Sequence, residues 1–269
     1  MSSHPIGVFD SGVGGLTVFR ALEAALPHES LVYLGDTARV PYGPKSAETV
    51  ERYALEAARF LRGQDVKMLV VACNSASSVA MEALREQHSI PITGVIGPGA
   101  RRAAAMTRSG KVGVIGTRGT IASEAYVRAI HEQAPDADVV SRACPLFVPL
   151  AEEGWTHNDV ARQVAQTYLG SLRDASVDTL VLGCTHYPLL KTVIGEVMGS
   201  DVKLVDSAEA VAAEVRKRLE DDEIQATGGP APLDHRFFVT DAPAPFQRVA
   251  ERFLGRPLGR LERAKIEGG

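Results

Sequence analysis

Two cysteines stand at the ends of apolar segments, and each is followed by small hydrogen-bonding side chains. Cys73 ends the apolar part of VVACNSAS (70–77), and Cys184 ends that of LVLGCTHYP (180–188). Unpaired cysteine is among the most buried residue types, so core packing would explain either residue taken singly. The repetition of the whole pattern instead favours a shared chemical role.

Two opposed thiols suit a reaction that inverts a carbon stereocentre by proton transfer. One face of the carbon needs a base and the other an acid, and the reverse reaction exchanges these roles. A free thiol has a pKa of about 8.5, which its surroundings can tune toward thiol or thiolate near neutral pH. We therefore interpret Cys73 and Cys184 as an acid and base pair that acts on opposite faces of one substrate.

Asp10 and Ser11 follow the first apolar segment of the chain, in FDSGVGGLT (9–17). The glycines that come next let the backbone approach a ligand and expose N–H groups to an anion. A helix N-cap on a tight turn explains the same residues equally well. Beside Cys73, the Asp10 carboxylate would raise the thiol pKa, so we expect it to hold a substrate ammonium or to relay a proton.

His186 comes two residues after Cys184. As an imidazolium it would stabilise a thiolate, or it would orient the proton transfer. Further candidate contacts lie in short polar segments that also have structural explanations, namely a rigid loop, helix caps and a solvated pair of carboxylates. These candidates are Tyr42, Gly43, Asn74, Ser75, Thr117, Thr120, Glu152 and Thr185.

The elements that must position these residues alternate between short apolar runs and longer stretches of helical periodicity. Residues 46–62, for example, place Val50, Ala54, Ala57 and Leu61 on one helical stripe. Such alternation predicts a doubly wound α/β architecture with mainly parallel sheets, whose ligands gather at the carboxyl ends of the strands. The predicted strands are 6–10, 31–36, 68–73, 92–96, 111–116, 138–144, 179–184, 202–206 and 236–240.

The series of elements occurs twice. Asp10 precedes Cys73 by 63 residues, and Thr117 precedes Cys184 by 67. We therefore expect two similar domains with the active site in the cleft between them. Crossings are predicted near 95–105 and 205–210, where Pro and Gly or a new helix interrupt the pattern. The expected division is 1–97 plus 208–258 for the first domain, 98–207 for the second, and 259–269 as a flexible tail.

Composition limits the partners of the chain. A net charge of −4, with no basic run longer than Arg101 and Arg102, argues against nucleic-acid binding. The start of the chain lacks a secretory leader pattern, and no apolar run approaches the roughly 20 residues of a membrane span, so we expect a cytoplasmic protein without membrane contact.

The cysteine content argues against disulfides and metal. There are three cysteines, no CxxC pair, and only His186 stands near any of them, so we expect free thiols and no metal site. Cys144 is followed by Pro145 and is expected to be a small buried hydrophobe. Trp155, the only tryptophan, is expected to serve packing rather than function.

Several motifs together resemble the cofactor-independent glutamate racemases over about residues 6 to 258. The matching blocks, in order, are FDSGVGGLTV, DTARVPYGPKS, VVACNSASS, GVIGPG, VGVIGTRGT, LVLGCTHYPLL and TDAPAPFQRVAERFLG. The resemblance implies two flavodoxin-like domains related by a pseudo-twofold axis and interconversion of L- and D-glutamate without pyridoxal phosphate. It further implies a cytoplasmic role in supplying D-glutamate for peptidoglycan, often as a homodimer.

The resemblance also implies roles for individual residues. Cys73 would act on the D-isomer and Cys184 on the L-isomer, with assistance from Asp10 and His186. Glutamate would be bound by these two assisting residues together with Ser11, Tyr42, Gly43, Asn74, Ser75 and Thr185, and the resemblance adds Thr117, Thr120 and Glu152. Family members commonly have threonine where this chain has Ser75, so we expect retained binding with slightly looser packing.

Three other functions compete with this interpretation. A racemase of another acidic amino acid, such as aspartate, would use the same thiols. A non-catalytic module would hold an anion with DSGVGG and GTRGT while both cysteines stay inert. A thiol hydrolase needs only one nucleophile and leaves the second cysteine unexplained.

Overall fold

The computed structural model describes residues 4–226, 234–241 and 243–266. Twelve helices and ten strands follow one another along this part of the chain. The strands are β1 (Ile6–Asp10), β2 (Leu31–Gly35), β3 (Met68–Val71), β4 (Ile92–Gly94), β5 (Lys111–Gly116), β6 (Asp138–Ala143), β7 (Thr179–Gly183), β8 (Lys203–Asp206), β9 (Arg236–Val239) and β10 (Leu261–Arg263). The helices are α1 (Leu16–Ala25), α2 (Ala47–Arg62), α3 (Asn74–Ser77), α4 (Met81–Gln87), α5 (Ile96–Met106), α6 (Arg118–Ala122), α7 (Ala125–His131), α8 (Phe147–Glu153), α9 (Asp159–Asp174), α10 (Lys191–Met198), α11 (Ser207–Asp221) and α12 (Pro243–Leu254).

The strands form two sheets, and every pairing between the described strands is parallel. The first sheet has the order β10-β9-β2-β1-β3-β4, and the second has the order β6-β5-β7-β8. Each of the nine predicted strand segments contains a strand, with ends that differ by at most two residues. The predicted α/β fold with two mainly parallel sheets is thus confirmed.

Burial of both faces accompanies the central position of the first strand in its sheet. Val8 packs in the same apolar cluster as Phe19 of α1, whereas its neighbour Phe9 packs with Val50 and Ala54 of α2. Successive side chains of a strand point to opposite faces, so β1 needs helices on both sides. The apolar run of β1 and the apolar stripe of α2 are therefore both consistent with a sheet that is covered by helices on its two faces.

Two helices carry the chain between the sheets. The helix α5 leads from β4 to β5, and α11 leads from β8 back toward the first sheet, where it packs against α1 and α5. These helices cover the segments at which the crossings were predicted. The exact division into 1–97 plus 208–258 and 98–207 stays a prediction.

The structure differs from the sequence prediction at the C-terminal end. Residues 261–263 form β10, which pairs in parallel with β9, and the Ala264 N–H donates to the Val239 carbonyl over 2.8 Å. Leu258 and Ala264 are buried. This corrects the predicted flexible tail at 259–269, because backbone pairing and two isolated apolar anchors hold a segment that has no apolar period. Residues 267–269 of the predicted tail lie outside the described residues.

Within 4–226, 234–241 and 243–266, no helix combines the length and the apolar character that a bilayer crossing requires.

Candidate active site

A cavity of about 220 Å³ lies between the carboxyl ends of the two sheets. Eleven of the residues predicted from the sequence line it: Ser11, Tyr42, Gly43, Cys73, Asn74, Ser75, Thr117, Glu152, Cys184, Thr185 and His186. Asp10 and Thr120 do not line it and lie behind its wall, where each is buried. A larger groove of about 630 Å³, beside β4, α5 and α11, contains neither cysteine.

Cys73 follows β3 and enters the cavity from the first sheet. It is buried, and its thiol donates to the Ser11 hydroxyl, with Sγ and Oγ 3.7 Å apart. Burial raises the pKa of Cys73 to about 12, and the negative charge of Asp10 adds to the rise. The thiol form is therefore favoured at neutral pH, and the direction of the Asp10 effect agrees with the sequence prediction.

Asp10 lies beneath the cavity floor and is held on both sides. Its Oδ2 accepts a hydrogen bond from the Gly12 N–H over 2.9 Å, and Thr185 donates to its Oδ1 over 3.5 Å. Burial raises the pKa of Asp10, and the charge of His186 and backbone N–H groups oppose that rise. Only glycine fits at position 15, because a Cβ there would lie 2.4 Å from the Asp10 Cβ.

Cys184 follows β7 and enters the cavity from the second sheet beside a hydrogen-bonded imidazole. Nδ1 of His186 lies 3.8 Å from the Cys184 Sγ, and Nε2 lies 2.9 Å from Oε1 of Glu152. Burial lowers the pKa of His186, but the interactions with Cys184 and Glu152 outweigh burial and raise it to about 10. An imidazolium beside a sulfur is an arrangement with which proteins hold a thiolate.

The two cysteines therefore have opposite surroundings. Near Cys73 the charged neighbour is the carboxylate of Asp10, whereas near Cys184 it is the imidazole of His186. A negative neighbour favours a neutral thiol, and a positive neighbour favours a thiolate. The two walls of the cavity thus differ in electrostatic environment, which is negative beside Cys73 and, through the imidazolium of His186, positive beside Cys184.

Hydroxyl groups join the two walls directly. The Ser75 Oγ lies 3.0 Å from the Thr117 Oγ1 and 3.4 Å from the Thr120 Oγ1, and the two threonine oxygens are 3.0 Å apart. Thr117 also caps α6, because its Oγ1 accepts the Thr120 N–H over 3.3 Å. Thr117 therefore caps a helix and also lines the cavity, so its two explanations from the sequence are compatible. Thr120 belongs to the same hydroxyl cluster without reaching the cavity.

Asn74 offers a free donor to the cavity. Its Oδ1 accepts the hydroxyl of Tyr126, over 2.8 Å, from α7 of the opposite sheet. Its Nδ2 is buried and makes no hydrogen bond to any residue that the structure describes. A buried N–H without a partner is costly, and Asn74 lines the cavity, so this amide is a candidate donor to a bound ligand.

Tyr42 and Gly43 lie in a loop that the first sheet holds in place. The Tyr42 hydroxyl donates to Asp36, which also accepts the Thr240 hydroxyl over 2.9 Å. The Gly43 carbonyl accepts the Gly119 N–H over 2.9 Å, so the backbone of the loop contacts α6, the helix that follows β5 of the second sheet. The loop therefore closes one side of the cavity.

Sequence reasoning missed several residues of the site. Val40, Pro41 and Val148 add apolar lining; the first two lie in the matching block DTARVPYGPKS, and Val148 lies in none of the blocks. Phe253 of α12 packs its ring against that of His186, with centroids 5.1 Å apart. Its block, TDAPAPFQRVAERFLG, was among the matching motifs, and that was the signal that could have found it.

Two further sequence predictions have different outcomes. Cys144 is completely buried in the main apolar cluster, which confirms it as a small hydrophobe. Trp155 is 49% exposed, so it packs only in part, and it does not line the cavity. It follows the C-terminal end of α8, where Gly154 turns the chain outward with a φ of 77°. Within the described ranges, no group of three or more His, Cys, Asp or Glu residues is arranged to hold a metal ion.

Comparison with known proteins yields consistent matches over the whole chain. The Asp/Glu/Hydantoin racemase family model matches residues 6–215. A glutamate racemase of Geobacter metallireducens is 61% identical over 262 residues, covering 97% of each chain. Among solved structures, a glutamate racemase of Francisella tularensis in complex with D-glutamate has a TM-score of 0.92 at 38% identity, with 99% of each chain covered. A Thermus thermophilus glutamate racemase in complex with β-chloro-D-alanine has a TM-score of 0.89 at 46% identity, with 98% of each chain covered.

Proposed function

The chain belongs to the Asp/Glu/Hydantoin racemase family, and from this membership and the two facing cysteines we propose that it interconverts L- and D-glutamate. The single observation that carries the proposal is one small cavity lined by two buried thiols, each at the end of a corresponding strand. Inversion of a stereocentre needs an acid and a base on opposite faces, and identical residues serve both directions. The reaction supplies D-glutamate for peptidoglycan synthesis.

In the L-to-D direction, the thiolate of Cys184 takes the α-proton, and the electron pair stays on the α-carbon, delocalised into the carboxylate. The thiol of Cys73 then donates its proton to the opposite face. The D-to-L direction uses Cys73 as base and Cys184 as acid. One turnover in the first direction thus begins with the protonation states that the surroundings favour, a thiol beside Asp10 and an imidazolium beside Cys184.

The remaining residues bind the substrate and stabilise the developing charge. The unpaired Asn74 amide and the hydroxyls of Ser75 and Thr117 face the cavity and suit a carboxylate. Asp10 lies close to Cys73 and suits the attraction of a substrate ammonium. Fixed donors in a water-poor cavity stabilise a carbanion without the electron sink that pyridoxal phosphate provides. The mechanism we propose uses no cofactor and no metal.

The domain division, the compartment and the oligomer belong to the same proposal. The two domains comprise 1–97 plus 208–258 and 98–207, and the protein is cytoplasmic and homodimeric, without nucleic-acid or membrane partners. The net charge of −4 supports the absence of a nucleic-acid partner. Light scattering coupled to size-exclusion chromatography tests the dimer, and a mass of one chain would contradict it.

Incubation with L-glutamate in deuterated water tests the function. Two-base racemisation predicts that D-glutamate appears with deuterium on its α-carbon, because the new proton comes from an exchangeable thiol. Chiral chromatography with mass spectrometry measures both. If prolonged incubation produced no D-glutamate and no deuterium on the α-carbon, the proposal would be contradicted. A faster reaction with aspartate would assign the same chemistry to a different acidic amino acid.

A further inference from the structure

We infer that Arg252 and Phe253, two successive residues of α12, are positioning residues that orient the Glu152–His186 pair for proton transfer at Cys184. The inference rests on the proposed racemase function and adds residues to it that the motifs of the cysteine loops do not contain. It follows from where α12 is anchored and from what the two side chains contact.

The helix α12 is fixed to the first sheet and its helices. Phe246, Ala250 and Leu254 are buried in the main apolar cluster, and α12 packs against α1. Just beyond the helix, Arg256 forms an ion pair with Glu23 of α1. The helix therefore moves with the part of the molecule that carries Cys73, whereas Glu152 and His186 belong to loops and helices of the second sheet.

Phe253 restrains the imidazole of His186. The phenyl ring is completely buried and meets the imidazole at an interplanar angle of 77°, in an edge-to-face arrangement. Such aromatic pairs prefer this geometry over stacking face to face. The hydrogen bond to Glu152 fixes one ring nitrogen, and the phenyl contact fixes the plane about that point. Together they direct Nδ1 at the Cys184 sulfur.

Arg252 restrains the backbone that carries Glu152. Its guanidinium donates to the Glu152 carbonyl, one of the last carbonyls of α8, and lies over Gly154 so closely that a Cβ there would be 2.9 Å from Cζ. A cation at a helix C-terminus satisfies carbonyls that have no partner within the helix. The Glu152 side chain is 38% exposed, so its carboxylate depends on this backbone restraint for a fixed position.

The contacts give α12 a specific effect on one of the two proton transfers. The contacts of Arg252 and Phe253 both act on the Glu152–His186 pair. This pair lies beside Cys184, whereas the charged neighbour of Cys73 is Asp10. Loosening α12 should therefore raise the barrier for transfer at Cys184 and leave transfer at Cys73 nearly unchanged. A general loosening of the cavity would slow both transfers alike.

The kinetic isotope effect distinguishes these cases. Because the two glutamate isomers have equal free energy, a variant must lower kcat/KM by the same factor in both directions. The rates alone therefore do not identify which of the two proton transfers has been slowed. When transfer at Cys184 becomes more rate-limiting, the primary effect of α-deuterium on kcat/KM rises for L-glutamate and falls for D-glutamate. If the cavity is loosened as a whole, the isotope effect for L-glutamate does not change relative to that for D-glutamate.

The test compares Phe253→Leu with Phe246→Leu, which makes the same change at another buried position of α12. Phe253→Leu should lower kcat/KM roughly tenfold, as expected for a small misplacement of a catalytic group, with the isotope effect raised for L-glutamate and lowered for D-glutamate. Phe246→Leu should leave both isotope effects at wild-type values. Circular dichroism and the melting temperature establish that each variant is folded.

A second pair of variants keeps the inference testable if Phe253→Leu fails to fold. Arg252 is exposed, so Arg252→Gln should fold, and it should show the same opposed isotope shifts, which Arg252→Lys should reverse. Arg248→Gln, at an exposed arginine one turn earlier, is the control. Isotope effects that stay unchanged, or that shift equally for both isomers, would overturn the inference. Absence of racemisation by the wild-type protein would instead refute the proposed function.

Discussion

The imidazole of His186 and the carboxylate of Glu152 form a hydrogen-bonded pair, with Nε2 and Oε1 2.9 Å apart, directly behind the sulfur of Cys184. Cys73 has no such cationic partner and lies instead near the buried Asp10. The two thiols are therefore equivalent by position in the fold and different in electrostatic environment. That difference supports the proposed division of roles between one acid and one base.

The third cysteine provides a control for the roles of the other two. Cys73→Ala and Cys184→Ala should each lower kcat/KM in both directions by about 10²–10⁴-fold, the usual contribution of a general acid or base. Cys144→Ala should keep nearly full activity, because Cys144 is buried in the main apolar cluster and does not line the cavity. Coupled assays of both isomers measure these rates. Full activity of either of the first two variants would contradict the two-base mechanism.

Removing the charge of Glu152 should shift the pH dependence of the reaction. The interactions with Cys184 and Glu152 raise the pKa of His186 to about 10, so the imidazolium and the stability it contributes persist at neutral pH and are lost as pH rises through that value. Glu152→Gln should move the alkaline limb of kcat/KM to lower pH by about one unit, which corresponds to roughly 1.36 kcal/mol.

The neighbouring carboxylate offers the matched control for this shift. Glu153 is exposed, so Glu153→Gln should leave the alkaline limb in place. Ionisation of the substrate amine contributes equally to every profile and cancels from the comparison. An alkaline limb that is identical in the wild type and Glu152→Gln would show that the pair does not set the protonation of His186.

A methyl group at Gly14 should disrupt the contact between the two sheets. A Cβ at this position would lie 2.3 Å from the Thr185 Oγ1 and 2.5 Å from the His186 Nδ1. Gly14→Ala should therefore displace His186 and lower kcat/KM by about 10²-fold, as misplacements of about 1 Å do. Gly170→Ala is the control, since nothing lies within 4 Å of its Cβ and no residue of its helix α9 lines the cavity. Gly170→Ala should leave the activity unchanged and raise the melting temperature slightly.

Ser75 tests the importance of the hydroxyl bridge between the walls. Its Oγ contacts Thr117 and Thr120 across the cavity. Ser75→Ala should raise KM by about five- to tenfold, the effect of losing one hydrogen bond worth roughly 1 kcal/mol, whereas Ser75→Thr should retain binding because it keeps the hydroxyl. Steady-state kinetics with both isomers measure the difference. Equal KM values for the two variants would assign the bridge no role in binding.

Much of the fold follows from local patterns, and the contacts between distant segments do not. Each of the nine apolar runs contains a strand, and the paired cysteines mark one cavity, because strand ends of parallel sheets are where ligands gather. By contrast, β10 depends on backbone pairing with β9, for which three residues give no periodic signal.

The contacts that tune the site are also long-range. Arg252 reaches the carbonyl of Glu152 across 100 residues of sequence, and Phe253 reaches His186. A single sequence indicates that α12 is amphipathic without indicating what its ends contact. The pKa of His186 depends on such contacts. The sequence therefore predicted the candidate residues and the direction of the Asp10 effect on Cys73, but not the pairing of His186 with the carboxylate of Glu152.

The most direct test of the two-base mechanism is a crystal structure of the protein with D-glutamate bound. The mechanism predicts that the sulfurs of Cys73 and Cys184 lie on opposite faces of the α-carbon, each at a reactive distance of roughly 3–3.5 Å. It also predicts a substrate carboxylate on the Asn74 amide, which has no hydrogen-bond partner among the described residues. Two sulfurs on the same face, or either sulfur too far from the α-carbon to exchange a proton with it, would contradict the mechanism.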